Sequence, residues 1–462
     1  MRRLVFSRRQ VVIGCLVALF VAAGVVSVVY ITHARSAAIN KSLNSGDFVT
    51  RSGAQLLLHG KPLRFAGANI YWLGLDENVG GVNYPTHFRV DDALSAVSEM
   101  GATVVRSHTL GISVGCSRCI EPTPGQFNAT AFESIDYALR SARAHHLRLI
   151  IPLTDNWQYY HGGKHTFTDW LGLHNENQFY TNQTVIHDFE QYIRTLLNHV
   201  NPYTGLAYKN DPTIMAWETG NELAPPVTWT QTIAGYIKSL DQHHLVMDGS
   251  SFINTDAFSL ANVDIYTDHY YPANIAKLQS DAAQVAAANK VFIVGEYAWE
   301  YGDPLKDFLA AIEKSSTAGD MYWDFFPHND TSGYVQHSGD GYTLHYPGDT
   351  SAMREAVQLL RTHAYKMQNR AVPAADTPGA PLITGVQGKA ITWRGTALGD
   401  TYSVERSTAG SGGSWTVVCN RCATDNTTPW TDTTQPAGSL WYRVRAYNLA
   451  GIAGPYSNVY QR

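Results

Sequence analysis

The chain has 462 residues, of which 44% are hydrophobic and 16% charged, and its net charge is −5 at neutral pH. This composition is typical of a globular protein that is long enough for more than one domain. No basic surplus indicates a nucleic-acid partner, and the acidic excess is too small to indicate disorder.

The N-terminus carries a long apolar stretch behind a basic start. Residues 11–31 are uncharged and mostly apolar, and a helix of this length spans roughly 30 Å, the thickness of a bilayer core. Arg2, Arg3, Arg8 and Arg9 precede it, which favours an extracytoplasmic location for the rest of the chain. We predict an anchor or signal over residues 1–35, either kept as a membrane helix or cleaved on secretion, and a tether over 36–47. A secretory signal usually has a shorter apolar region, so we favour the anchor.

Short apolar runs then alternate with amphipathic segments between residues 48 and 370. Eight buried strands that alternate with helices predict an α/β fold, a (β/α)8 TIM barrel, with a doubly wound open sheet as the competing layout. An Asp91-Asp92 pair suits a helix start. The predicted strands are Phe65–Ile70, Thr103–Arg106, Leu147–Leu153, Ile214–Trp217, Leu245–Met247, Val263–Tyr266, Val291–Val294 and Met321–Phe325.

A different pattern follows a Pro- and Ala-rich linker at residues 371–381. Residues 382–462 contain short β-prone segments separated by turn residues, which predicts a small all-β sandwich. Trp393, the strand at 442–446 and the segment 454–458 resemble a fibronectin type III module. This resemblance implies a fold and says little about function, and we favour a spacer.

Four cysteines form two C-x-x-C pairs, Cys116/Cys119 and Cys419/Cys422. A four-thiolate zinc site and a redox motif are the alternatives to two local disulfides. The pairs lie in predicted separate domains, and the predicted compartment is oxidising, so disulfides are favoured.

Two glutamates stand where buried strands are predicted to end. Glu222 comes shortly after Ile214–Trp217 and directly follows Asn221, while Glu296 follows Val291–Val294 after a glycine. One such glutamate is often only a helix cap or rim residue, but two on separate strands favour shared chemistry. Residues at the C-terminal ends of barrel strands face a common pocket. The pair predicts cleavage of a glycosidic bond by two carboxylates.

Polar and aromatic residues also occupy other predicted strand ends. They are Arg106, Asn156, Trp157, His269, Tyr271 and Trp323. With the two glutamates, this constellation resembles glycoside hydrolase family 5, a family of retaining (β/α)8 enzymes. Within it, the stretch Leu149–Trp157, followed by Gly162-Gly163 and Trp170, most resembles the endo-β-1,4-mannanases.

The resemblance implies a double displacement in which Glu296 is the nucleophile and Glu222 is the general acid/base. Retention requires the carboxyl groups to lie about 5–5.5 Å apart. The charge of Glu296 is expected to raise the pKa of Glu222. Arg106 is expected to hold Glu296 ionised through charge-assisted hydrogen bonds.

The other residues are implied to bind substrate or to orient these two. Asn221 would contact the sugar 2-OH, Tyr271 would hydrogen-bond Glu296, and His269 would orient the acid/base. Trp323 would form the floor of the subsite, and Asn156 and Trp157 are candidate substrate contacts. For each of these residues, simple packing or a structural ion pair is the alternative.

The leading hypothesis is a monomeric endo-β-mannanase acting on a polysaccharide substrate, with a membrane contact through the N-terminal helix. Hydrolysis of another β-linked glycan, such as β-glucan or a manno-oligosaccharide, is the first alternative, because Ser107-His108 and the Cys116–Cys119 loop depart from the mannanase pattern. An inactive carbohydrate-binding protein is the second. No His/Asp cluster has metal-ligand spacing along the sequence, so no metal or other cofactor is predicted.

Overall fold

The computed structural model describes residues 47–299, 302–337 and 341–462. Residues 48–462 form one compact unit. The predicted membrane segment at 11–31 lies outside the described residues. Within the described ranges, every helix is too short or too polar to cross a bilayer. The N-terminal anchor therefore stays a prediction.

A small antiparallel sheet precedes the barrel. It consists of β1 (Thr50–Ser52), β2 (Gln55–Leu58) and β3 (Lys61–Leu63). Leu56 packs in one hydrophobic cluster with Phe65, Val104 and Val291, which begin three barrel strands. The sheet therefore closes the N-terminal end of the barrel and leaves the opposite end open for a site.

Eight parallel strands form a closed barrel in sequence order, which confirms the TIM-barrel prediction and excludes the open sheet. Each strand is buried along its whole length, because parallel strands pack against side chains on both faces. The strands are β4 (Phe65–Asn69), β5 (Val104–Arg106), β6 (Arg148–Pro152), β7 (Ile214–Glu218), β8 (Leu245–Asp248), β9 (Ile265–Tyr270), β10 (Val291–Tyr297) and β11 (Gly319–Tyr322).

Helices surround the barrel and bury their apolar faces against it. They are α1 (His87–Glu99), α2 (Ala129–Ala144), α3 (Lys164–Trp170), α4 (Gln183–Asn198), α5 (Val227–Leu240), α6 (Ile275–Ala287), α7 (Asp303–Lys314) and α8 (Ser351–Met367). The expectation that Asp91-Asp92 starts a helix was wrong. Helix α1 begins one turn earlier, where the Thr86 hydroxyl accepts a hydrogen bond from the Arg89 N–H at 3.3 Å.

Residues 382–462, hereafter the β-module, form two antiparallel sheets around one apolar core that contains Trp393 and Tyr442. The strand Trp441–Tyr447 alternates buried and half-buried residues, as expected when only one face of a sheet packs on a core. The strands are β12 (Leu382–Gln387), β13 (Ala390–Arg394), β14 (Thr401–Ser407), β15 (Thr416–Ala423), β16 (Trp430–Thr431), β17 (Trp441–Tyr447), β18 (Ala453–Tyr456) and β19 (Tyr460–Gln461). Both predicted disulfides, Cys116–Cys119 and Cys419–Cys422, are formed.

A buried charge cluster joins the β-module to the barrel. His328 Nδ1 lies 2.9 Å from Asp92 Oδ2, and its Nε2 lies 3.1 Å from Asp425 Oδ2. Burial alone would lower the pKa of His328, but the two carboxylates raise it to about 10. We call Asp92, His328 and Asp425 the junction cluster. Nearby, the Arg394 guanidinium stacks 3.7 Å from the ring centre of Phe88.

The predicted linker also makes ordered contacts. The Asp376 N–H donates to Glu99 Oε2 on α1 at 3.2 Å, and Asn448 Nδ2 donates to the carbonyl oxygens of Ala375 and Asp376. The segment therefore lies along both the barrel and the β-module. The domain boundaries at 370 and 382 stay predictions.

Candidate active site

A cavity of about 310 Å³ opens at the C-terminal end of the barrel. We call it the cleft. Both predicted catalytic glutamates line it, and the surrounding side chains are mostly aromatic. The lining residues are His108, Trp157, Tyr159, Asn221, Glu222, Tyr271, Glu296, Trp323 and Tyr342.

Local backbone irregularities aim both glutamates into the cleft. Glu222 has φ of +52°, in the left-handed region that a non-glycine residue adopts only when surrounding structure enforces it. Glu296 follows a register shift between β9 and β10 at Gly295. A Cβ at Gly295 would lie 2.4 Å from Thr267 Oγ1 and 2.7 Å from His269 Nε2, so only glycine fits. Such bulges redirect side chains next to active sites.

The two carboxylates share one histidine. His269 Nδ1 lies 2.7 Å from Glu222 Oε1 and 3.5 Å from Glu296 Oε2. One ligand atom from each of these three residues lies within 4.8 Å of the others. The predicted acid/base and nucleophile are therefore neighbours, and His269 lies where it can orient Glu222.

Arg106 is the centre of the charge network below the cleft. Its side chain is fully buried and donates to Glu296 Oε1 at 2.6 Å and to Glu218 Oε2 at 2.7 Å. It also donates to Asn221 Oδ1 at 2.8 Å and Asn69 Oδ1 at 3.1 Å. One guanidinium thus fixes the predicted nucleophile and the residue preceding the predicted acid/base, while Glu218 balances its charge.

The electrostatics keep Glu296 ionised. Burial alone would raise the pKa of this carboxyl, but the charge of His269, with His108 and Arg106 adding to it, holds the pKa well below its ordinary value. An ionised carboxylate is the form that attacks as a nucleophile.

Glu222 departs from the expectation. Burial and the charge of Glu296 raise its pKa, but the hydrogen bond from His269, the charge of His269 and the hydrogen bond from Trp157 together outweigh them, and the net pKa is lowered. Conversely, burial lowers the pKa of His269, but Glu296 and Glu222 raise it overall. The two shifts have opposite directions, as expected when the His269 imidazole donates a hydrogen bond to an ionised Glu222.

Aromatic side chains complete the site. Tyr271 Oη donates to Glu296 Oε2 at 3.0 Å, and Trp157 Nε1 donates to Glu222 Oε2 at 2.5 Å. Trp157 is 47% exposed, so its ring faces the cleft solvent. Trp323 lines the cleft and stacks on Tyr71 with ring centres 5.5 Å apart.

Two asparagines from the prediction lie in different places. Asn221 lines the cleft, and its Nδ2 donates to Asp155 Oδ1 at 3.1 Å. Asn156 instead accepts a hydrogen bond from Lys164 Nζ at 2.7 Å and does not line the cleft.

Three residues that line the cleft were not among the site residues predicted from the sequence. His108 follows Arg106 by two positions, and Tyr159 follows Trp157 by two, so proximity to a strand end could have identified both. Tyr342 comes from the long segment between β11 and α8, which carries no local sequence signal.

Among the described residues, two groups offer three possible metal-ligand atoms within 4.8 Å of one another. One is Glu222, His269 and Glu296, and the other is His108, Asp155 and His161. The first group is occupied by its own hydrogen bonds. The second group lies beside the cleft, which His108 lines.

Similarity to known proteins agrees with this geometry. A family model for GH family 5 beta-mannosidase-like proteins matches residues 46–301. Putative mannan endo-1,4-beta-mannosidase P of Arabidopsis thaliana is 32% identical over 219 residues, which are 44% of this chain and 52% of that protein. The chain thus spans about half the length of the first curated relatives it matches.

Longer alignments have lower identity. Mannan endo-1,4-beta-mannosidase 8 of Oryza sativa subsp. japonica is 26% identical over 67% of this chain and 98% of its own length. The crystal structure of the endo-1,4-beta-mannanase from Rhizomucor miehei superposes with a TM-score of 0.60 at 26% identity, covering 70% of this chain and 100% of that one. Because the family model spans more than half of the chain, this protein belongs to glycoside hydrolase family 5, in its beta-mannosidase-like group.

Proposed function

We propose that this protein is a retaining glycoside hydrolase that cleaves internal β-1,4-mannosidic bonds of mannan or a related polysaccharide. The observation that carries the proposal is the close approach of Glu222 and Glu296. One carboxylate oxygen of each glutamate and one ring nitrogen of His269 all lie within 4.8 Å of one another. A retaining enzyme needs carboxyl groups about 5–5.5 Å apart, whereas an inverting one needs roughly 6.5–9.5 Å to admit a water.

In the first step, Glu296 attacks the anomeric carbon and forms a glycosyl ester while the glycosidic C–O bond breaks. The leaving oxygen takes its proton from the His269–Glu222 pair. Substrate displaces water from the cleft, which disfavours the charged forms of both partners and moves the proton from His269 to Glu222. Glu222 is the partner that reaches the leaving oxygen.

In the second step, water replaces the leaving group. Esterification removes the charge of Glu296, and Glu222 now acts as a base. The water attacks the anomeric carbon while Glu222 accepts a proton from it. The ester bond breaks, and Glu296 leaves as a carboxylate that Arg106 and Tyr271 stabilise by hydrogen bonds.

The mannan assignment draws on the relatives, which are named mannan endo-1,4-beta-mannosidases. Trp157 and Tyr159 are 47% and 56% exposed beside the cleft and offer flat faces for sugar rings. Another β-linked glycan is the alternative, because His108 lines the cleft where the mannanase pattern departs. An inactive binding protein is disfavoured, because both carboxylates and their shared histidine are in place.

The test is reducing-sugar release by protein that lacks residues 1–35. Mannan, glucomannan, cellulose, xylan and mixed-linkage glucan are compared, with Glu222→Ala and Glu296→Ala as variants. Release from mannans that is lost in both variants supports the proposal. Release from another glycan alone would replace the substrate, and no release from any would favour a binding protein.

We propose further that the β-module is fibronectin type III-like and acts as a spacer, on the basis of its two antiparallel sheets around Trp393. Electrophoresis of the β-module through gels with and without mannan tests this. A spacer should migrate equally far in both gels, and slower migration in the mannan gel would show glycan binding.

For residues 1–35, we propose a membrane anchor that holds a monomeric enzyme outside the cytoplasm. Membrane fractionation with external protease treatment, and light scattering of the released part, test this. Recovery of the chain in the soluble cytoplasmic fraction would contradict it.

A further inference from the structure

A second polar cluster lies beside the cleft and takes no part in the proposed reaction steps. His108 follows β5, Asp155 follows β6, and His161 lies in the loop before α3. All three are at most 3% exposed. One possible ligand atom from each lies within 4.8 Å of the other two. Side chains from two loops thus converge next to His108, which also lines the cleft.

The hydrogen bonds of this cluster leave lone pairs facing each other. His161 Nδ1 lies 3.0 Å from the Gly162 carbonyl oxygen, so it carries the proton and leaves Nε2 with a lone pair. That Nε2 lies 3.8 Å from Asp155 Oδ2, which is buried and has no hydrogen-bond partner among the described residues. When Asp155 is ionised, these two buried acceptors need a donor or a cation between them. Burial raises the pKa of Asp155 to about 7, so a proton on Oδ2 competes with a cation for this position.

We propose that His108, Asp155 and His161 bind a divalent transition-metal ion of the zinc class. Two imidazoles and one carboxylate form a donor set that suits zinc and its neighbours and does not suit calcium or magnesium. Metal–ligand bonds of about 2.0–2.2 Å place ligand atoms about 3.4 Å apart, so the cluster must close by about 1 Å. Solvent from the cleft can supply the remaining ligand.

The ion would fasten one side of the cleft. Asp155 Oδ1 accepts hydrogen bonds from the Trp157 N–H at 2.9 Å and from Asn221 Nδ2 at 3.1 Å. An ion on Oδ2 would therefore hold the carboxylate that positions both a cleft aromatic and the neighbour of Glu222. Arg106 Nη1 donates a hydrogen bond to His108 Nε2 at 3.0 Å. Ligation through Nδ1 of His108 would put a proton on Nε2 and break this hydrogen bond, and the new Nε2–H would face Glu296 Oε1, 3.6 Å away.

Two other arrangements compete. An ordered water could bridge the same lone pairs. Alternatively, a metal could bind at Glu222, His269 and Glu296, which offer one imidazole and two carboxylates. We favour the cluster with His161, because it has two imidazoles and a carboxylate oxygen without a partner.

The test uses the full-length protein, purified without a histidine tag and dialysed against a chelator. Co²⁺ is titrated and followed by visible absorption, and unfolding is measured with and without Zn²⁺. The wild type should gain a Co²⁺ band at one equivalent and a few degrees in Tm with Zn²⁺. Both effects should persist in Glu222→Gln and disappear in His161→Ala and His161→Gln, whose folds are checked by circular dichroism.

Absence of both effects in the wild type would overturn the proposal in favour of a bridging water. Loss in Glu222→Gln with retention in His161→Gln would move the ion to the glutamate pair. Anomalous diffraction at the zinc edge from wild-type crystals needs no variant: a peak between His108, Asp155 and His161 supports the site, and any other result contradicts it.

Discussion

His269 beneath the cleft and His328 in the junction cluster are both buried histidines between two carboxylates. His269 directs one nitrogen to both Glu222 and Glu296, and its Nε2 has no hydrogen-bond partner among the described residues. His328 instead gives each ring nitrogen its own carboxylate. In the proposed mechanism the first arrangement holds a transferable proton, whereas the second arrangement is a fixed ion pair.

The carboxylates around the two histidines also differ in their exposure to solvent. The Glu222 side chain is 22% exposed, so a ligand in the cleft can change its surroundings. The side chains of Asp92, His328 and Asp425 are at most 3% exposed, so their charges stay paired. A buried pair that is broken on one side costs about 3–5 kcal/mol, whereas a reacting pair must be able to change its charge during turnover.

The largest effect should come from Glu296→Ala. We expect turnover to fall roughly 10⁴-fold or more on both mannan and dinitrophenyl β-mannobioside, because the nucleophile is gone. Glu222→Ala should lose activity on mannan but keep a burst of dinitrophenol, since that leaving group needs no acid. Glu176→Ala, an exposed glutamate, is the matched control. A burst from Glu296→Ala would reverse the assigned roles.

His328→Gln should lower the free energy of unfolding by about 3–5 kcal/mol, because it leaves two buried carboxylates without their cation. Turnover at low temperature should stay within about twofold of wild type. Denaturant unfolding with parallel mannan assays measures both quantities. Wild-type stability in this variant would show that the junction cluster does not fasten the β-module.

The stabilisation by His328 should depend on pH in a defined direction. Its folded-state pKa is raised to about 10, above the ordinary value near 6.5, so its contribution is complete below about pH 6.5 and is lost as the pH rises through 10. The stability difference between wild type and His328→Gln should therefore shrink from pH 6.5 to 10. A difference that grows over this range would contradict the assignment.

Tyr271→Phe should reduce kcat by roughly 10- to 100-fold with little change in folding, since it removes one hydrogen bond to the charged Glu296. The corresponding change in the free energy of activation is about 1.5–3 kcal/mol. Steady-state kinetics on mannan measure it. An unchanged kcat would leave Tyr271 as a packing residue.

Arg354→Met should give the smallest effect. The Arg354–Asp400 pair also joins the barrel to the β-module, but the Arg354 side chain is 34% exposed. Exposed pairs contribute about 0–1 kcal/mol, so thermal unfolding should barely change. A loss as large as that of His328→Gln would show that burial does not distinguish the two contacts.

Sequence reasoning reached the barrel and most of the candidate site because both follow from local pattern. Alternating apolar runs and amphipathic segments predict parallel strands, and the barrel brings strand ends such as Arg106, Glu222 and Glu296 together. The sequence predicted the helix starts less well. The Asp91-Asp92 pair suggested the start of a helix, but the helix begins after the Thr86 cap, one turn earlier. Asn156 also shared the strand end of Trp157 but turned towards Lys164.

The amino-acid sequence by itself determined the alternation of strands and helices, the two C-x-x-C pairs and the position of each glutamate at a strand end, because each depends on residues near one another in the chain. Only the tertiary structure decided which way the pKa of Glu222 shifts, since that depends on His269, 47 residues away. The same holds for the junction cluster and for the approach of His108 to Asp155 and His161. Electrostatic interactions act through space over a few ångströms, and the fold alone sets which distant residues come that close.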